Sequence, residues 1–320
     1  MGEADPWDRL GPEVAKLRND IAAAEVIGAM REDGIRSILL KGPSVARWLY
    51  RADERRIYGD IDLLVSPGEF GRAEALLARL GFEHAELEST RPGRESHHEI
   101  WKRSRDGAQV ELHRTVLGIG VPDQVFWDEI AADTEMLPLG VGDDASDAEV
   151  PAEHARALLV GLHAAQHGPT PTPLNDLERA LAQVPLSTWE RAGALARRVR
   201  ADGYFRSGLC LLPQGRAVAT ELALEGDAPI DARIRADEAP RTAMGWEHLR
   251  RVPGVRGKVR YLARELVPTP AVMRMTDPAA ARGRLGITVA YLRRPVILVA
   301  HAPKGFRAWR RAARNTRERG

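Results

Sequence analysis

The chain has a single cysteine, Cys210. That excludes an internal disulfide framework and any zinc site built from several thiolates. Cys210 lies in the apolar run LCLLP, so its expected role is a buried structural thiol and not a nucleophile. Long apolar runs are lacking too: no window approaches the roughly 18–20 uninterrupted apolar residues of a membrane-crossing helix. Met1 to Trp7 carries acidic and polar breaks where a signal peptide needs an apolar centre. The expectation is a cytoplasmic protein with no transmembrane segment. A net charge of only +2 leaves the molecule as a whole without the field that gathers nucleic acid. What is present is ordinary for a globular protein: 44% apolar and 29% charged residues over a length of 320, enough for a sizeable core and favouring two domains.

Periodicity sets the elements. Val14, Leu17, Ile21, Ala24 and Ile27 recur at helical steps and predict a helix from Pro12 to Glu32, ended by Gly34. Ile35 to Leu40 reads as a buried strand, broken by Lys41-Gly42-Pro43-Ser44, with Pro43 suited to a helix start. The run IYGDIDLLV alternates at period two, which places Asp60 and Asp62 on one face of a strand. An amphipathic helix follows through Leu80, then two strands, His97 to Lys102 and Gln109 to His113, joined at Arg105-Asp106-Gly107. Residues 140–150 read as loop, and after Pro151 the pattern turns helical. The expected division is 1–150 and 151–320, with a further boundary near 225–240 and a basic tail over 301–320.

The chemistry concentrates in carboxylates. Two aspartates one residue apart on a strand have Cα atoms roughly 6–7 Å apart and side chains pointing the same way, so they can converge on one hard cation or bridge two. A solvated strand end is the plain alternative for a lone D-x-D. Three neighbours weigh against it. ILLKGPSVA places a glycine turn and a helix start just upstream, where backbone amides bind phosphate and Lys41 and Ser44 can add contacts. Glu111 in VELH supplies a third carboxylate on the same strand face as His113. Arg51, Arg55 and Arg56 precede the aspartates, placed to balance their charge or grip a triphosphate.

Together Leu40-Lys41-Gly42, Gly59 to Val65, Val110 to His113, the paired His97-His98, LLVGLHAAQHG and NDLERAL resemble an uncharacterised bacterial nucleotidyltransferase family of the DNA polymerase β-like superfamily, over roughly residues 20–215. The resemblance implies an α+β fold: a mixed-sheet palm with an N-terminal helix, followed by a mainly helical C-terminal domain. It implies Asp60, Asp62 and Glu111 as catalytic metal ligands for two Mg²⁺ or Mn²⁺ ions. Lys41, Gly42, Ser44 and Arg56 would then hold the nucleotide, and His97, His98 and His113 would stand near the substrate. The activity implied is transfer of a nucleoside monophosphate, AMP from ATP being the expected case, to a small-molecule or peptide acceptor with release of pyrophosphate. Pro43, between Gly42 and Ser44, departs from the Gly-Gly or Gly-Ser form of the superfamily's glycine motif.

The rival readings are a catalytically inactive binding protein on the same fold and a histidine-based metal hydrolase. The second rests on His163 and His167, four apart on a predicted helix, with Asp176 beyond them; the general-base glutamate of a metalloprotease motif is missing, since Ala164 follows His163. The run FRAWRRAARNTRER mixes aromatics with arginine. From His301 onward there are seven basic residues against one acid, Glu318, and a solvated basic tail is the expectation there.

Overall fold

In the computed structural model, residues 11–51, 53–85, 97–140 and 146–317 are described. The fold is α+β, with a seven-stranded mixed sheet and helices on both of its faces. In chain order the first unit contains α1 (Pro12–Glu32), β1 (Ser37–Leu39), α2 (Pro43–Leu49), β2 (Ile61–Val65), α3 (Phe70–Arg79), β3 (Glu83–His84), β4 (His98–Lys102), β5 (Gln109–His113), α4 (Asp123–Ala131), β6 (Thr134–Leu139) and β7 (Ser146–Pro151). Five helices complete it: α5 (Glu153–His167), α6 (Pro171–Gln183), α7 (Leu186–Arg198), α8 (Asp202–Leu209) and α9 (Pro213–Glu221).

The strands lie in the order β3-β4-β5-β2-β1-β7-β6. β2 runs parallel to β5 and β1 parallel to β7, while the other neighbours are antiparallel. Because side chains alternate along a strand, the central strands feed two separate cores. Leu39, Ile61, Leu63, Val110 and Leu112 pack against α1 and α3. Ile38 and Leu64 face the other way, into a core with α4, α5, α7 and α8. Asp62, between Ile61 and Leu63, shares the face of Leu64, so its carboxylate is on the side covered by α5.

The expected boundary at 150/151 is where sheet gives way to helix. The compact units divide later, after Gly226, because α5 and the helices behind it share one apolar core with the sheet. Cys210 packs against that core, half-buried. Within 140–150, read as loop, residues 146–150 belong to β7, which pairs with β6 and β1; the acids and prolines of SDAEVP and TEMLPL hide a hairpin that lies toward the sheet edge. Residues 141–145 lie outside the described set. α1 buries the second half of its expected stripe and not the first. Ala24 and Ile27 of the expected stripe are buried, together with Ala22, Ala23, Val26 and Met30, whereas Val14, Leu17 and Ile21 in the first half of the helix are exposed.

The second unit, from Asp227 onward, is helical: α10 (Ile230–Ala236), α11 (Arg241–Arg251), α12 (Gly254–Leu266), α13 (Pro270–Thr276), a 3₁₀ turn (Ala280–Arg282) and α14 (Arg284–Arg317). Its cores are small. Ile234, Ala243, Ala308 and Ala312 form one, and Met273, Ala280 and Ala290 another.

Candidate active site

The site is assembled by strand register. Parallel pairing of β2 with β5 sets Asp62 opposite Glu111, and antiparallel pairing of β4 with β5 sets His98 opposite His113. The amide of Leu40 donates to the Asp62 carbonyl at 2.9 Å, which brings the next residue, Lys41, beside the same carboxylate. Lys41 Nζ lies 2.8 Å from Asp62 Oδ1, and His113 Nε2 donates to that oxygen at 3.1 Å. Glu111 Oε2 is 3.7 Å from His113 Nε2 and 3.6 Å from His98 Nε2, and the two imidazole rings are 4.9 Å apart.

Asp60 sits just before β2, with its carbonyl accepting from Asn19 Nδ2 at 3.1 Å. Its carboxyl is pushed up to about 6, by burial first and then by the charges of Asp62 and Glu111. Burial alone would raise Asp62 as well, but Lys41 and His113 hold it far below the usual carboxylate range. Glu111 is likewise lowered against its burial, chiefly by His113 beside it. Burial works against the charge on Lys41, and the three carboxylates, Asp62 foremost, raise it above its ordinary value. His113 is raised by Asp62 and Glu111 despite burial. Its Nδ1 faces the Thr115 carbonyl at 3.3 Å, so both ring nitrogens meet acceptors, an arrangement that favours the protonated ring. His98 is lowered by burial and by His113, which keeps it neutral.

Three carboxylates thus stand against Lys41 and His113, and Asp60 is the one left short of positive charge among the described residues. This surplus, made of hard oxygen donors, fits a divalent cation such as Mg²⁺ or Mn²⁺. Nitrogen donors lie alongside: His98, Glu111 and His113 offer ligand atoms all within 4.8 Å of one another.

The turn before α2 places the other residues singled out by sequence. Gly42 has φ +64°, a conformation that favours glycine, and a Cβ there would touch the Tyr58 ring at an ordinary contact distance of 3.4 Å. Ser44 is fully buried, and its Oγ finds no hydrogen-bond partner among the described residues. Arg56 is also buried, with its guanidinium forked onto Asp176: Nε to Oδ1 at 2.9 Å and Nη2 to Oδ2 at 2.7 Å. Tyr50 donates to the same Asp176 at 2.7 Å. Arg56 is therefore balanced by Asp176, at 3.4 Å from the Gly42 carbonyl, where it supports the turn.

A pocket of about 390 Å³, measured out to open solvent, adjoins this cluster. Lys41, His97, His98 and His113 line one side, and Leu159, Leu162, His163 and Gln166 of α5 another. His163 is held well below its ordinary value by burial, by Lys41 and by His167, whose ring lies edge-on to it at 4.7 Å. Asp176 is engaged by Arg56 and Tyr50, and among the described residues the grouping with metal-ligand spacing is His98, Glu111 and His113, not His163, His167 and Asp176. Asn19, Tyr50 and Asp176 support the site through contacts that no local pattern announces. They sit in helices or at a helix end, where only tertiary pairing reveals them.

Residues 13–214 match the family described as an uncharacterised nucleotidyltransferase. No curated protein matches the chain. Among solved structures, the solution structure of the antibiotic-resistance factor ANT(2'')-Ia is similar over 57% of this chain and 93% of its own, at 15% identity and a TM-score of 0.39.

Proposed function

The chain belongs to the uncharacterised nucleotidyltransferase family, and from that premise we propose that Asp60, Asp62 and Glu111 hold divalent cations for transfer of AMP from ATP to a small-molecule or peptide acceptor. The observation that carries this reading is the cross-strand pairing of Asp62 with Glu111, with Asp60 close enough that their charges add to the effect of burial in pushing its carboxyl up to about 6. A cluster so rich in buried carboxylate is costly unless cations neutralise it. Bound Mg²⁺ or Mn²⁺ would screen the phosphates and lower the pKa of an attacking hydroxyl.

The chain's own residues supply the remainder. In this reading the amides at the Gly42 turn and the start of α2, Pro43 excepted, meet a phosphate, and the Ser44 hydroxyl, which has no partner among the described residues, adds a donor. Lys41, which now pairs with Asp62, carries a cation that can follow negative charge on the nucleotide. His98, neutral at pH 7, can accept a proton from an acceptor hydroxyl, while the imidazolium of His113 holds Asp62 and Glu111 in register. The α5 wall, with Leu159 and Leu162 beside His163 and Gln166, suits an acceptor with an apolar body and a polar end.

The test is pyrophosphate release from ATP with Mg²⁺ or Mn²⁺ in the presence of a cell-extract acceptor pool. Asp60→Asn, Asp62→Asn and chelation of the metal are each expected to remove it, by about 10³-fold or more. Full activity in Asp62→Asn would refute the reading. Stoichiometric ATP binding with no label passed to any acceptor would favour the binding-protein alternative.

A further inference from the structure

Charge is divided along the chain in a way the net value conceals. The first 226 residues hold 26 lysines and arginines against 37 acids, whereas Asp227 to the end holds 21 against 8. α14 has no acid at all. One side of it is pinned to its own unit: Trp246 Nε1 donates to the Ala302 carbonyl at 3.2 Å, Arg294 to the Glu265 carbonyl at 2.6 Å, and Ala290, Ala308 and Ala312 are buried.

The opposite side is bare. At about 100° per residue, Leu285, Val289, Leu292, Val296 and Val299 fall within about 40° of one line. Their exposures run from 52% at Val289 to 85% at Leu285. Arg307, Arg310 and Arg314 continue that same line, all exposed. α12 repeats the pattern. Val255, Val259, Leu262 and Leu266 are exposed at three- and four-residue steps, with Arg256, Lys258 and Arg260 between them.

We infer that this basic unit docks on the surface of an acidic phospholipid membrane, with the apolar stripes of α12 and α14 entering the headgroup boundary and the arginines meeting lipid phosphates. Apolar stripe and basic flank together are what an interfacial helix needs. A second copy of the chain is disfavoured as the occupant, because stripe would meet stripe between like charges. Nucleic acid would answer the arginines and leave the valines and leucines in water. Crossing the bilayer is disfavoured by Arg293 and Arg294 in the middle of the apolar stretch, although by length and composition α14 qualifies.

The experiment is vesicle flotation of the full chain with neutral phosphatidylcholine and with phosphatidylcholine containing phosphatidylglycerol. Binding is expected only to the acidic vesicles, weakened by high salt and by a carbonate wash. Leu292→Glu with Val296→Glu is expected to lower it at least about tenfold. Both positions are exposed, so the fold should tolerate the change, with an unchanged circular dichroism melt as the check. No flotation, equal binding to neutral vesicles, or binding indifferent to the double variant would each overturn the inference. So would carbonate-resistant insertion, displacement of vesicles by duplex DNA, or a dimer in sedimentation that the double variant dissolves.

Discussion

Asp60 is where function and stability pull apart. Its folded pKa, about 6, lies above its ordinary 3.8, so ionising it costs the folded chain. The associated stability is present below about pH 4 and lost as pH rises through about 6. In the absence of metal, Asp60→Asn should therefore raise the melting temperature at pH 8. The gain is on the order of 1–3 kcal/mol at most, since the carboxylate is partly exposed. The difference should vanish near pH 4, and a thermal melt across pH checks both ends. Added Mg²⁺ should stabilise the unmodified protein more than the variant. The same titration predicts that the affinity for Mg²⁺, read as pyrophosphate release at sub-saturating metal, falls as pH drops below about 6, because a cation must displace the proton from Asp60, and that saturating metal moves the fall to lower pH. A variant that melts lower than the unmodified chain at pH 8, or a metal affinity that is flat between pH 7 and pH 5, would contradict this account.

At the scale of elements, α5 is the wall that faces the carboxylates, and its position is set by a close crossing with α8. A Cβ on Gly208 would stand 1.9 Å from the Gly161 carbonyl oxygen, and one on Gly161 would stand 2.6 Å from the Phe205 ring. Gly208→Ala should force the helices apart, costing about 1–3 kcal/mol and displacing His163 and Gln166 from the pocket. Gly71→Ala on α3, where nothing lies within 4 Å, is the control and should leave stability unchanged or slightly higher. Urea unfolding of the two variants distinguishes them. No local pattern announces the crossing, because Gly161 and Gly208 lie far apart in the chain and each reads as an ordinary small residue in a helix. The strands that carry Asp62 and Glu111 are legible for the converse reason: IDLLV is a short apolar run with one aspartate inside it, QVELH alternates polar and apolar residues, and the direction of each side chain follows from backbone geometry alone. β6 and β7 are not, since acids and prolines mask their pattern. The engagement of Arg56 by Asp176 is equally hidden, because a pair 120 residues apart leaves no periodic trace.

At the scale of the whole molecule, two units of opposite charge share one chain. Both large apolar cores end by Leu224, and every residue of the carboxylate cluster and its pocket precedes that point. The cores beyond Asp227 are built from a few alanines and single larger residues, with ion pairs such as Arg251 to Glu247 at 2.9 Å adding to them. Burial per residue, which supplies most folding free energy, is thus concentrated before Gly226. A chain ending at Gly226 should fold on its own, unfold cooperatively, and keep any metal-dependent pyrophosphate release. With 26 basic and 37 acidic residues it should also bind an anion exchanger at pH 8, unlike the near-neutral full chain, and should not float with acidic vesicles. Calorimetry and flotation on the same preparation test this division. An insoluble or non-cooperative fragment would mean that the cores before Gly226 need the basic unit. A folded fragment that still floats would move the membrane contact away from α12 and α14.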